Sequence, residues 1–246
     1  MKNLHKPVML KEVISYIPVQ KSINIIDATF GGGGYSRAIL KNFNVSELLA
    51  IDRDPISKIL SKDLSLKFKN FLLVNDKFSN IDKIVKASKF KNKKFDVILY
   101  DLGTSSNQID ISKRGFSFSK EGPLNMQMGQ DARNAFEIVN KYDEKNIAKI
   151  IFDYGEERYS RIIAKEIVKN RKIKFIETTT ELSDIIKQSI PKKIYLKKNI
   201  HPATKTFQAL RIYVNDELNE LKTSLKKTIN ILNPNGLILV VSFQSL

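Results

Sequence analysis

Over the first hundred residues, short apolar runs alternate with stretches where apolar positions recur every three or four residues. Residues 23–30 (INIIDATF) form the first run and lead into four glycines, 31–34. The runs at 48–51, 71–74 and 95–100 follow, two of them ended by Asp52-Arg53-Asp54-Pro55 and Asp101-Leu102-Gly103. Unbroken apolar runs of this length suit strands buried on both faces. Helical patterns at 36–42, 55–62 and 79–88 separate them. This alternation predicts an α/β fold, a Rossmann-like parallel sheet with helices on both sides.

The rhythm then breaks. Residues 105–130 are rich in Gly, Ser and Gln and read as loop. Helices are predicted at 135–140, 144–154 and 156–169, the last with Ile162, Ile163, Ile167 and Val168 on one stripe and Arg158, Arg161, Lys165 and Lys169 off it. A short helix at 181–189 and a basic loop at 191–201 come next. A long helix at 206–232, a Pro234-Asn235-Gly236 turn and a strand at 237–243 restore the α/β pattern. The expected organisation is a discontinuous sheet domain, 1–130 with 201–246, interrupted by a helical substrate-recognition domain at 131–200.

Composition narrows the partners. Lys and Arg number 42 against 26 Asp and Glu, a net charge of +16. Such an excess concentrates polyanions near the surface and speeds encounter with them. Nucleic acid leads, because no basic amphipathic stretch adjoins an apolar anchor for a membrane surface. At 42% hydrophobic residues the chain can bury a core and does not read as disordered. Cys is absent, which excludes disulfides, thiolate metal sites and Cys nucleophiles. No apolar run approaches the ~20 residues of a membrane span. His5, Lys6, Lys11 and Glu12 interrupt the place of a signal peptide. A cytoplasmic protein without a membrane partner is expected.

The glycine loop carries the first chemistry. In Asp27-Ala28-Thr29-Phe30-Gly31-Gly32-Gly33-Gly34, glycines after a first strand let a ligand approach the backbone. A dinucleotide fingerprint would want Gly at 36, which is Ser, and no Lys-Ser/Thr pair follows as in a Walker loop. An acidic residue before Gly-x-Gly, without pyrophosphate features, suits a cation such as S-adenosylmethionine; a plain tight turn would use the same glycines. Asp52 ends the second run 21 residues after Gly31, where an acidic residue can accept ribose hydroxyls. Asp54, before Pro55, is the better helix N-cap, leaving Asp52 for the ligand. Phe78 can cover an adenine or fill the core, with Asp76 nearby. Asp101 ends the fourth run, at the edge where ligands of open sheets bind.

Methyl transfer to an exocyclic amine needs a nitrogen lone pair in line with the sulfonium methyl. Acceptors that bind the amine N–H groups localise that lone pair and take the proton afterwards. The loop 102–108 (LGTSSNQ) offers such acceptors. Methylation at pyrimidine C5 normally uses a Cys adduct, and radical chemistry a Cys-held cluster; neither suits a chain without Cys.

At these residues the chain resembles the RsmH (MraW) family of 16S ribosomal RNA cytosine-N4 methyltransferases. The matching stretches are HKPVML at 5–10, DATFGGGGYS at 27–36, AIDRDP at 50–55, YDLGTSSNQ at 100–108 and RGFSF at 114–118. GPLNMQM at 122–128, YGEER at 154–158, HPATKTFQALRIYVN at 201–215 and SFQSL at 242–246 continue them. The resemblance implies an S-adenosylmethionine-dependent methyltransferase sheet with a helical domain inserted after the fourth strand. It implies cofactor contacts at Gly33, Gly34, Tyr35, Asp52, Phe78, Asp101 and Gln108, and makes Asp101 and Asn125 the catalytic candidates. It further implies a decoding-site cytosine in the assembled small subunit, dimethylated jointly with an enzyme acting on the ribose. The chain departs from the family at Tyr35, Asn107, Asn125, Gln127, Gly129 and Gln244.

Lys192, Lys193, Lys197 and Lys198 flank Tyr195, a set of cations beside a stackable ring that suits RNA. Arg211 joins them as an RNA-binding candidate, and 16S ribosomal RNA in the small subunit is the expected partner. The competing expectation is a ribosome-assembly protein that binds RNA with impaired catalysis, favoured by Asn125 and Gln244. A nicotinamide dehydrogenase is disfavoured by Ser36. Sheets of this class usually carry two strands beyond the one at 237–243. The C-terminal strands are therefore expected to be missing, leaving an apolar edge unless a second subunit, as in a homodimer, covers it.

Overall fold

The computed structural model describes residues 7–19, 22–130, 133–192 and 200–242. The chain divides into two compact units, Met1–Ser106 with Leu218–Leu246, and Asn107–Glu217.

The first unit is built on β1 (Ile23–Asp27), β2 (Val45–Ile51), β3 (Phe71–Val74), β4 (Phe95–Leu102) and β5 (Leu232–Ser242). They lie in the order β3-β2-β1-β4-β5, all parallel. Its helices are α1 (Leu10–Tyr16), α2 (Gly34–Asn42), α3 (Ser57–Leu60), α4 (Lys62–Lys67), α5 (Ile81–Ala87) and the chain's last helix, α12 (Glu217–Thr228). Ile25 pairs with Leu48 and Val97, while its neighbour Ile26 pairs with Leu49 and Ile98. The Ile25 layer packs with Val13, Ile39, Leu40 and Leu64 of α1, α2 and α4. The Ile26 layer packs with Ile81, Ile84 and Val85 of α5 and Leu221 and Leu225 of α12. Because both faces are covered, the strands are apolar at successive positions rather than alternating.

β5 starts at Leu232, earlier than the expected 237, so Pro234-Asn235-Gly236 falls inside it as an irregularity. Asn235 takes a left-handed φ of 63°, and regular pairing resumes at Val97 with Leu237. Among the described strands β5 is an edge, with Val240 exposed.

The second unit is helical: α6 (Ser106–Asp110, starting at the boundary), α7 (Ala135–Lys141), α8 (Glu144–Gly155), α9 (Ser160–Arg171), α10 (Thr179–Ser189) and α11 (Thr204–Asn215). Asn134, Asp143 and Thr178 start α7, α8 and α10 by accepting the N–H groups of Glu137, Asn146 and Glu181. Its core takes Ile138, Ile147, Ile163 and Leu182 from these helices. It also takes Phe116, Leu124, Met126 and Met128 from the irregular segment, and Phe207, Leu210 and Val214 from α11. The division therefore falls at 106/107 and 217/218 rather than at the expected 130/131 and 200/201. Periodicity locates helices, but side-chain burial decides which core a segment joins.

Two helix expectations are corrected. The predicted helix 206–232 is two helices, because Asp216 takes φ 52° and ends α11. Asn215 before it is buried, its amide bonded to Met126 O, Met128 N–H and Arg211 O. The helix predicted from 156 begins at Ser160, because Glu156 at φ 49° closes α8. The helix α1 had no counterpart in the sequence reading. Among the described residues no helix is long and apolar enough to cross a membrane.

Candidate active site

The carboxyl ends of β1, β2 and β4 bring Asp27, Asp52 and Asp101 to one edge of the sheet. Backbone bonds tie the loop after β1 to that edge: Ala28 N–H donates to Leu99 O (2.8 Å) and Phe30 N–H to Ile51 O (3.0 Å). Gly33 then takes φ 77°, and a Cβ there would lie 2.6 Å from the Phe30 ring, so only glycine fits. Gly34 opens α2, and a side chain on it would strike Pro7.

Burial pushes the Asp27 carboxyl up to about 6 despite donation from Ser36 Oγ (2.6 Å) and Thr29 N–H (3.3 Å). Burial also raises Asp52 to about 6. Its Oδ2 accepts Gly31 N–H at 2.5 Å and its Oδ1 accepts Asp54 N–H at 2.8 Å. Asp52 is therefore not free in the sense expected: it already braces the glycine loop, and any ligand shares its remaining lone pairs. Asp54 accepts Ile56 N–H (3.2 Å) ahead of α3, yet the residue capping α3 is Ile56, without a side-chain cap bond.

Asp101 is half-buried, and burial raises it to about 6. Its N–H donates to Thr29 Oγ1 (2.6 Å), while its carboxylate has no donor among the described residues. Three carboxylates raised towards neutrality, without a basic side chain bonded to any of them among the described residues, make a site that a cation would stabilise. Phe78 is half-buried on a short turn, edge-to-face on Tyr100 with ring centroids 5.6 Å apart. The Tyr100 hydroxyl is itself held by Ser224 and Thr228, each at 2.7 Å. Asp76 is turned to Lys77 N–H and Asn80.

Other expected site residues fare differently. Tyr35 is buried, and its hydroxyl donates to Val8 O; burial and the Asp101 and Asp27 charges raise its pKa. Its side chain belongs to the core cluster on one face of the sheet. In the second unit Gln108 is buried on α6. Asn125 Oδ1 accepts Gln127 N–H at 3.2 Å in a local turn. Arg211 is buried, and its Nε and Nη2 donate to the two oxygens of Glu217 at 2.8 and 3.1 Å. Lys192 is exposed, whereas Lys193, Tyr195, Lys197 and Lys198 lie outside the described residues. The site list read from sequence lacked Asp27, Ser36 and Thr29; the acidic start of the glycine motif was the available signal for the first.

A parallel β3-β2-β1-β4-β5 sheet with a glycine loop after β1 and acidic residues at the next strand ends defines a Rossmann-like fold of the methyltransferase class. The chain belongs to the MraW methylase family, whose pattern it matches over residues 2–246. It is 44% identical over 245 residues to the ribosomal RNA small subunit methyltransferase H of Mycoplasma mycoides, covering 98% of this chain and 78% of that one. The protein of the same name from Caldicellulosiruptor saccharolyticus is 44% identical over 244 residues, with 98% and 78% covered. That from Rickettsia canadensis is 44% identical over 252 residues, with 100% and 77% covered. A solved ribosomal RNA methylase from Streptococcus thermophilus is 21% identical, with a TM-score of 0.29 over 46% of this chain and 64% of that one.

Proposed function

We propose that the protein transfers a methyl group from S-adenosylmethionine to the exocyclic N4 of a cytosine in small-subunit ribosomal RNA, at the decoding site and in the cytoplasm. The observation that carries this reading is Asp101, a half-buried carboxylate raised to about 6 at the carboxyl edge of a parallel sheet, with no donor among the described residues. The positive methionine end of the donor supports its charge. An ionised carboxylate has about four acceptor positions. Asp52 uses two of them on Gly31 and Asp54, which leaves two for the ribose hydroxyls. The bare backbone at Gly33 and Gly34 lets the ligand approach, and Phe78 flanks the adenine.

When bound, the donor supplies a methyl group on a positively charged sulfur. The chain's own part is to hold the amine in line and to accept its N–H groups, so that the nitrogen lone pair faces the methyl. Asp101 and the acceptors of residues 102–106 take that role, with the released proton passing to a carboxylate. Lys192 and the lysines after it contact phosphates. The names of the three relatives support the RNA substrate.

The test is mass spectrometry of nucleosides from unmethylated small subunits incubated with the protein and labelled S-adenosylmethionine. N4-methylcytidine is expected. Methyl on C5 or on ribose would overturn the reading. Retained subunit binding with no methylated nucleoside would instead mark an assembly protein.

A further inference from the structure

The turn joining α8 to α9 is held more firmly than an exposed connection requires. Glu156 N–H donates to Phe152 O (2.9 Å), and Lys205 Nζ donates to Glu156 O (2.9 Å). Glu157 is buried; its Oε1 accepts Tyr159 N–H (2.9 Å) and its carbonyl accepts Ser160 N–H (3.1 Å). What this turn presents is Arg158, exposed to solvent. It opens onto a hollow of about 700 Å³ lined by Lys145, Lys149, Phe152, Arg158 and Arg161 among others. Phe152 is 56% exposed on the outer face of α8, where a polar residue is the rule. Lys149 is paired with Asp153 at 2.7 Å, but Lys145, Arg158 and Arg161 have no ion-pair partner among the described residues.

We propose that this hollow binds single-stranded RNA of the substrate, a base stacking on Phe152 and phosphates engaging Arg158 and Arg161. The inference rests on the RNA-substrate reading above and adds a contact surface outside the sheet unit. Charge selects the occupant: four cations line the hollow against the two acids Glu144 and Asp153. Guanidinium forks match phosphate oxygens. An exposed ring between them suits an unpaired base, which duplex RNA does not offer. An apolar peptide would find little more than Phe152 and Ala148 in the lining.

The experiment measures binding of the whole protein to small subunits and to deproteinised small-subunit RNA across a salt series, with S-adenosylmethionine affinity and melting temperature as controls. Arg158→Glu with Arg161→Glu is expected to weaken RNA binding at least tenfold and to lower the log–log salt slope by about two. Phe152→Ala is expected to weaken it about tenfold with an unchanged slope. Both variants alter only exposed positions and should melt like the wild type and bind S-adenosylmethionine normally. Unchanged affinity and slope in such folded variants overturns the inference alone. A loss seen on subunits but not on naked RNA also overturns it, pointing to an acidic ribosomal-protein segment. A wild-type protein that binds neither form of the RNA overturns the parent reading and this one with it.

Discussion

At Asp101 burial alone acts on the carboxylate, and the energetic consequence has a definite sign. The group sits at about 6 in the folded protein against an ordinary 3.8. The folded state therefore holds this proton more tightly than the unfolded chain. Its charge destabilises the fold fully above pH 6, and the penalty disappears as pH falls below 4. A rise of that size is worth at most ~3 kcal/mol. Asp101→Asn is expected to melt above the wild type at pH 7.5, with the difference closing near pH 4. The same variant is expected to bind S-adenosylmethionine 10- to 100-fold more weakly, because a charge-assisted hydrogen bond contributes ~1.5–3 kcal/mol. Melting curves across pH and calorimetric titration check the two halves. Unchanged cofactor affinity would take Asp101 out of the site.

Among the elements, α8 and α11 depend on one residue without a side chain. A Cβ on Gly155 would lie 2.5 Å from Lys205 O and 3.1 Å from Ala209 Cβ, and backbone cannot yield as a flexible side chain would. Gly155→Ala is expected to cost ~1–3 kcal/mol by overpacking, read as a lower urea midpoint with an unchanged slope. A variant as stable as the wild type would show that the two helices can move apart freely. The helix starts at α7 and α8 were legible in the sequence, because an N-cap is a local device of one side chain and one N–H three residues on, whereas α10 begins at Thr179, two residues before the expected 181. The break at Asp216 was not. It coincides with Asn215 bonding Met126 and Met128, residues far away in sequence.

Over the whole molecule, three hydrophobic clusters of the described residues carry the fold, two on the faces of the sheet in the first unit and one in the second, each drawing on residues of its own unit. A ligand at the carboxyl edge of the sheet stabilises the unit that holds it. At a hundred times its dissociation constant this amounts to ~2.7 kcal/mol. Hydrogen exchange of the most protected amides in β1, β2 and β4 is therefore expected to slow about a hundredfold with saturating S-adenosylmethionine. Unaltered protection of those strands would place the cofactor elsewhere.

Alone, the sequence determined what depends on short range. Unbroken apolar runs required strands covered on both faces, and their alternation with helical periods required a parallel sheet. The acidic residues at the ends of those runs were bound to meet at its carboxyl edge, because parallel strands all end there. Only the tertiary structure decided what those residues are bonded to. Asp52 braces Gly31, Tyr35 turns into the core towards Val8, and Arg211 is closed off by Glu217. It also decided that the irregular stretch from residue 107 joins the helical core, through Phe116, Leu124, Met126 and Met128. The reason is common to all four. Hydrophobic period is a property of neighbours in the chain, while burial and hydrogen-bond partners are settled by neighbours in space.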